Sequence, residues 1–356
     1  MHNIKRIMFI GILLSVYLLG GVGFSLSKEN PVVVNLMLDA DINHAPTPDQ
    51  VKIAGSSLIN LTNEIDPRGL NTTIFVTGDI VSAYRLGITL QGTMSNHELA
   101  LHGNVTDEKL SSMSDADQEA LLTKAKDLLY HCYVCGGKHV DIKGFRPQAF
   151  DQNNATFKVL EKLGIIYDAG FQEGIIYMPG HETDAWPYLI DGSNLTAVPA
   201  STYELSGERV YLYDRYVKEN KKLSGAQWYD LLVKKFEESA KDGVPMVVIF
   251  SNLVSGNGDY LDAYRNFLDY ATSKEANFVT TMQLVNMAAV KGGKPPALIS
   301  QSSNAEKINT SETGVIKGCP TCDQTKTGLA QSIINVSIKK NKNCTTCNQS
   351  STNVTK

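Results

Sequence analysis

Three stretches of this 356-residue chain carry side chains suited to hydrolytic chemistry. The first is Asp39-Ala40-Asp41, which closes an apolar, β-branched run. Two carboxylates one residue apart can divide labour, one holding a cation while the other accepts a proton. The second is Asn96-His97-Glu98-Leu99-Ala100-Leu101-His102-Gly103, which sets an imidazole at the end of a short strand-like segment. Histidine with carboxylate is a donor set for zinc and similar divalent metals. The third is Gly144-Phe145-Arg146-Pro147, whose guanidinium can hold a carboxylate in one orientation. Taken singly, an Asp-x-Asp pair is a common loop feature and a strand-end histidine an ordinary hydrogen-bonding residue, so the weight lies on the three together.

The elements that would position these groups follow from periodicity. Strand character at Pro31–Leu38 is followed by a helical pattern over about 49–64, then by strands at 73–77 and 98–101. A helix over about 116–131 places Leu121, Leu122, Ala125, Leu128 and Leu129 on one face, with Ser114 as its cap. A strand at 143–146, a helix at 154–163 and a strand at 165–168 come next. Ser224 and Gln227 form a capping box for a helix reaching Ala240, and Pro245–Phe250 reads as a fully buried strand. Helix at 260–273, strand at 277–281 and helix at 282–290 close the pattern. Repeated strand-then-helix order predicts an α/β fold with a parallel sheet, as a barrel or a doubly wound sheet.

The order of these motifs resembles the polysaccharide deacetylase (NodB-homology) family. The likeness runs through the strand ending in Asp39-x-Asp41, Thr73–Gly78, the 96–103 stretch, Gly144–Pro147 with its following helix, and Leu163–Asp168. It continues through Gly243–Phe250, the 260–273 helix and Phe278–Thr281, so that residues 32–287 are covered. The resemblance implies a distorted (β/α)7 barrel and metal-dependent removal of acetyl groups from sugar polymers, zinc being the usual cation. Carried across by position, Asp39 is the general base, Asp41 and His102 are metal ligands, and Arg146 orients Asp39. The departures are equally specific. A second metal histidine is expected four residues after the first, where Thr106 stands with Asp107 beside it. The late proton-donating histidine is expected near Ser251 or Asn252, neither of which can act as that acid at neutral pH. The usual Arg-x-Pro reads Arg-Pro-Gln here. Candidate substitutes are His97, His44, Asp107 and His181, the last in the Pro179–Pro187 loop. Trp186, Trp228, Tyr188, Tyr203, Tyr211 and Tyr213 are candidates either for stacking on sugar rings or for core packing.

Lys5 and Arg6 precede an uncharged, mostly apolar run from Ile7 to Ser27, about 20 residues and long enough to span a bilayer. Residues 1–29 thus read as an uncleaved anchor with the rest of the chain outside, or alternatively as a cleaved signal. Asn-x-Ser/Thr triplets at Asn60, Asn71, Asn104, Asn154, Asn194, Asn309, Asn335, Asn343, Asn348 and Asn353 suit an exported, glycosylated surface. Residues 30–291 form the expected barrel, and 292–356 a Ser/Thr/Asn-rich tail. Cys319/Cys322 and Cys344/Cys347 in that tail are spaced for two disulfides or for one small zinc knuckle, and Cys132/Cys135 for a short disulfide. The net charge of −4, without a basic block, argues against nucleic acid as a partner. The expected partner is a carbohydrate polymer. Two other functions share the sequence: a glycan-binding or envelope-structural protein on the same scaffold without catalysis, and an envelope protein acting through its tail.

Overall fold

The structure is a computed structural model and describes residues 31–43, 45–83, 97–134 and 141–292. The expectations for the N-terminal segment, His44, Cys135 and the two tail cysteine pairs lie outside these residues. Among the described residues, no helix is long and apolar enough to cross a membrane.

Among the described residues there are eleven strands: β1 (Val33–Ala40), β2 (Thr72–Val76), β3 (His97–Leu101), β4 (Gly144–Phe145), β5 (Tyr167–Gln172), β6 (Tyr188–Leu189), β7 (Thr196–Ala200), β8 (Thr202–Leu205), β9 (Glu208–Tyr211), β10 (Met246–Ser251) and β11 (Asn277–Val279). The main sheet runs β10-β1-β2-β3-β4-β5-β7 with every neighbouring pair parallel, and β6 adds an antiparallel edge to β7. β11 also pairs with β1. Parallel strands covered by helices are buried on both faces, which is why β1 and β10 are nearly unbroken apolar runs with almost every residue buried.

The two ends of this series are stitched together by the segment between β7 and β10. Ser201 N–H donates to the Val247 carbonyl at 3.0 Å, and Ser201 Oγ accepts from Val247 N–H at 2.9 Å. Leu212 N–H donates to the Ser201 carbonyl and Ile249 N–H to the Leu212 carbonyl, both at 2.9 Å.

Helices fall between the strands close to where periodicity put them. Pro48–Ile65 starts at a Thr47/Gln50 capping box, and Gly225–Asp242 at the expected Ser224/Gln227 box. Ser114 accepts from the Asp117 N–H at 3.2 Å, as expected of the cap of Asp115–Val134. Trp228 is fully buried and packs edge-to-face on Phe250, which in turn meets Tyr264. That places it in the core between Gly225–Asp242, β10 and Gly258–Ser273, and removes it from the residues available to stack on a sugar. Trp186 is half-buried, with Lys291 Nζ 4.3 Å from its ring centroid. The short strands β6 to β9 and the helix Asp214–Glu219 are elements that periodicity did not reveal.

Candidate active site

The parallel arrangement sets the ends of β1, β3, β4 and β10 side by side, and each delivers a polar residue to one buried spot. Asp39 pairs in register with Phe75 on β2 and Ser251 on β10. Asp41 follows two residues later. His102 leaves β3 with its backbone N–H on the Val76 carbonyl, and Arg146 leaves β4 with its N–H on the Leu101 carbonyl, both at 2.9 Å. Asp39, Asp41, His102 and Arg146 are all at most 1% exposed.

The orientation of His102 is set by its neighbours. Nδ1 lies 2.7 Å from the Arg146 carbonyl, which can only accept, so Nδ1 carries the proton and Nε2 the lone pair. Nε2 lies 3.6 Å from Asp39 Oδ2 and 3.8 Å from Asp41 Oδ1. Burial pushes the His102 pKa down and the Arg146 charge adds to this, so the ring is neutral. Burial pushes the Asp41 carboxyl up, against the pull of His102. Burial also opposes the Arg146 charge, but Asp39 outweighs it and the guanidinium pKa rises.

Arg146 Nη2 lies directly against Asp39 Oδ2 and 2.9 Å from His102 Nε2. The Asp39 contact is a charge contact rather than a hydrogen bond of ordinary geometry, since both Asp39 oxygens lack a hydrogen-bond partner. Phe75, Phe150 and Tyr213 box the guanidinium, with ring centroids 5.7, 5.6 and 5.5 Å from its carbon. Gln148 Nε2 donates to Asp41 Oδ1 and to the His102 carbonyl, both at 3.1 Å.

These residues fit a divalent cation. Asp39, Asp41 and His102 each offer one donor atom, all within 4.8 Å of one another. Asp39 Oδ1 and Asp41 Oδ2 are buried without a hydrogen-bond partner, as anionic oxygens awaiting a cation would be. Three protein donors with open positions is the pattern of a catalytic rather than a structural centre.

The remaining sequence candidates among the described residues lie elsewhere. His97 sits at the opposite end of β3 from His102, roughly 16 Å along the strand, and binds Asp66 Oδ1 through Nε2 at 2.7 Å. His181 stacks on Tyr188 at 3.9 Å and pairs with Asp184 at 2.7 Å, and neither partner belongs to the cluster. Asp107 has a largely exposed carboxylate 3.6 Å from Arg215, while its N–H reaches Gln148 Oε1 at 3.4 Å. Thr106, at the second-histidine position, gives its hydroxyl to the Ile42 carbonyl at 2.6 Å. Asn252 is likewise committed. Its amide accepts from Asp41 N–H and donates to the Asp41 carbonyl, both at 3.0 Å, and donates to the Ala54 carbonyl at 3.1 Å.

Two buried carboxyls near the cluster escaped sequence reasoning. Asp214 accepts from Ser251 N–H at 2.9 Å and Ser255 Oγ at 2.6 Å, and burial pushes it up to about 7. Asp168, opposite Phe145 in the β4–β5 pairing, accepts from Gly170 N–H and is pushed by burial to about 7. Beside the cluster, a recess of about 370 Å³ is lined by Asn43, Gln50, Arg215, Lys218 and Leu253 among others.

No protein-family model and no curated protein matches the sequence. Solved structures do match. A protein from Mycobacterium smegmatis, named as a polysaccharide deacetylase, superposes with a TM-score of 0.58 at 17% identity, over 77% of this chain and 96% of its own. Another so named, from Pseudomonas aeruginosa PAO1, gives 0.57 at 14% identity, over 71% and 89%. The fold is that of the polysaccharide deacetylases. A Puue allantoinase also shares it, with a TM-score of 0.58 at 14% identity over 74% of this chain and 92% of that one. At such identities the deacetylase fold is what the likeness carries, and the reaction is argued from the side chains.

Proposed function

We propose that this chain is a metal-dependent hydrolase that removes acetyl groups from cell-surface or envelope polysaccharide. The observation that carries the reading is the convergence of Asp39 and Asp41 from the end of β1 with His102 from the end of β3, with Arg146 against Asp39 and the His102 lone pair turned inward. The seven parallel strands and the stitch at Ser201 support a distorted (β/α)7 barrel, a fold whose reactive groups gather at the C-terminal ends of strands. The deacetylase fold of the matched structures supports an acetylated glycan as substrate.

Asp41 and His102 Nε2 would hold the cation, and zinc suits a nitrogen-and-carboxylate set. When bound, such a metal polarises the acetyl carbonyl and makes water a better nucleophile. Asp39 accepts the proton released as water adds, and Arg146 fixes that carboxylate in direction. The Arg146 carbonyl holds His102 in the tautomer that presents Nε2. The apolar run 7–27 supports an export route with the segment retained as an anchor, and the Asn-x-Ser/Thr triplets support a glycosylated exterior.

The test is metal content of the purified protein beside an Asp41→Ala/His102→Ala variant, followed by acetate release from acetylated glycans. Stoichiometric metal in the wild type, lost in the variant, is expected. Absence of metal from both after reconstitution refutes the reading. One observation favours a second reading, a glycan-binding protein without catalysis: Thr106 and Asn252, which replace or neighbour the expected histidines, are fully committed to backbone groups. That reading expects glycan affinity unaffected by chelators.

A further inference from the structure

Arg146 holds both ring nitrogens of His102. Its carbonyl takes the Nδ1 proton at 2.7 Å, and its own guanidinium reaches Nε2 at 2.9 Å. Nε2 has a single lone pair, so it accepts either a guanidinium N–H or a metal ion, but not both. The same Nη2 lies against Asp39 Oδ2, another of the cluster's three donors. Gln148 occupies Asp41 Oδ1 from the other side. Each of the three ligand residues thus has one donor atom already facing a protein group, and the cationic one of these groups is Arg146.

We propose that Arg146 is a built-in competitor for the metal, seated on His102 Nε2 in the metal-free protein and displaced from that nitrogen, while it stays against Asp39, when a divalent cation loads. This rests on the metal-site reading above and adds a cost to it: loading must break a charge-assisted hydrogen bond inside a fully buried cluster. The displaced guanidinium has an acceptor nearby. Asp168 sits on the strand next to β4, its Oδ2 is buried without a hydrogen-bond partner, and it lies within the electrostatic reach of Arg146. Arg146 Nε is likewise buried and unpartnered, so turning the guanidinium off Nε2 toward Asp168, with Asp39 still held, would satisfy two groups that are unpaired now. Phe75, Phe150 and Tyr213 offer no rival acceptor along their ring faces.

Zinc titration of the full chain by calorimetry, wild type against Arg146→Lys, tests this. Lysine keeps a positive charge beside Asp39, but its shorter, single-headed side chain does not bridge to Nε2. Competition predicts that Arg146→Lys binds zinc at least about tenfold more tightly, the worth of one charge-assisted hydrogen bond. An effect of charge alone predicts no change, and equal dissociation constants would overturn the proposal while leaving the metal site intact. Absence of zinc uptake by both proteins refutes the metal site itself. If Arg146→Lys does not fold, arginine side-chain NMR of the wild type decides. The Arg146 guanidinium signals should shift on zinc addition, and signals unmoved at zinc saturation refute the displacement.

Discussion

Asn252 stands where the family resemblance leads one to expect a proton-donating histidine or its immediate neighbour, and replacing it with alanine separates structure from chemistry. Its side chain is fully buried and makes three hydrogen bonds, two of them the reciprocal pair with the Asp41 backbone. Asn252→Ala leaves the Asp41 N–H and C=O without those partners in a spot closed to water. An unsatisfied buried group costs about 1–3 kcal/mol, so two cost roughly 2–6 kcal/mol before relaxation. Against a typical domain stability of about 5–15 kcal/mol this is a large fraction. Urea unfolding followed by circular dichroism should show a lower midpoint at unchanged slope. Because Asp41 is the residue left unanchored, zinc affinity should weaken in parallel. A stability loss under about 1 kcal/mol would refute the reasoning, since that is the least a single orphaned group should cost. It would mean that Asn252 is free to face substrate.

Other consequences can be measured on the same protein. Asp168, Asp214 and Glu108 are each pushed up to about 7 by burial. Between about pH 4 and 7 the folded state therefore holds protons that the unfolded chain has lost, and unfolding free energy should fall as pH rises through that window, then level off. Chemical denaturation at pH 6 and pH 8 checks the sign, and greater stability at pH 8 would contradict it. Gly103 has φ +80°, and a Cβ there would sit 1.9 Å from Glu108 Oε1, the carboxyl that accepts from Asn104 and Val105 N–H. Gly103→Ala should lower stability by at least about 1 kcal/mol and weaken zinc binding by shifting the adjoining His102, both visible in melts with and without metal. His97→Ala breaks the 2.7 Å contact with Asp66 and should cost about 1–3 kcal/mol while leaving zinc affinity unchanged. Lost zinc affinity would put His97 back among the site residues.

Much of the scaffold was legible because its strands are buried on both faces. β1 and β10 read as nearly unbroken apolar runs, and the capping box at Ser224 follows a simple local rule. The strands β6 to β9 were not legible: each is two to five residues long, they lie among glycines, a proline and turns, and none shows a period long enough to see. Asp39, Asp41, His102 and Arg146 were recognisable because each ends a strand that could be read. His97 was misleading for a reason that strand geometry supplies: five residues from His102, it lies at the far end of β3 and, by the two-residue alternation, on the other face. Trp228 belongs to a helix face with Leu231, Leu232, Lys235 and Phe236, a 3.6-residue spacing that marks it as core. Asp168 and Asp214 gave no sequence signal, because a buried carboxyl is made unusual by burial and not by its neighbours in the chain.

The stitch between β7 and β10 has a dynamic meaning. Where β1 and β10 share six register pairs, this side of the sheet is sewn by a few hydrogen bonds around Ser201 and Leu212. The residue after Leu212 is Tyr213, which covers Arg146, and the next is Asp214, which grips the end of β10 at Ser251. A fluctuation that parts those few hydrogen bonds would therefore loosen the roof over the carboxylates along with the seam itself. Amide hydrogens at Leu212, Val247 and Ile249 would exchange with solvent in the same opening event that lets water reach Asp39, so the parting of this seam and the wetting of the carboxylates would be one cooperative motion.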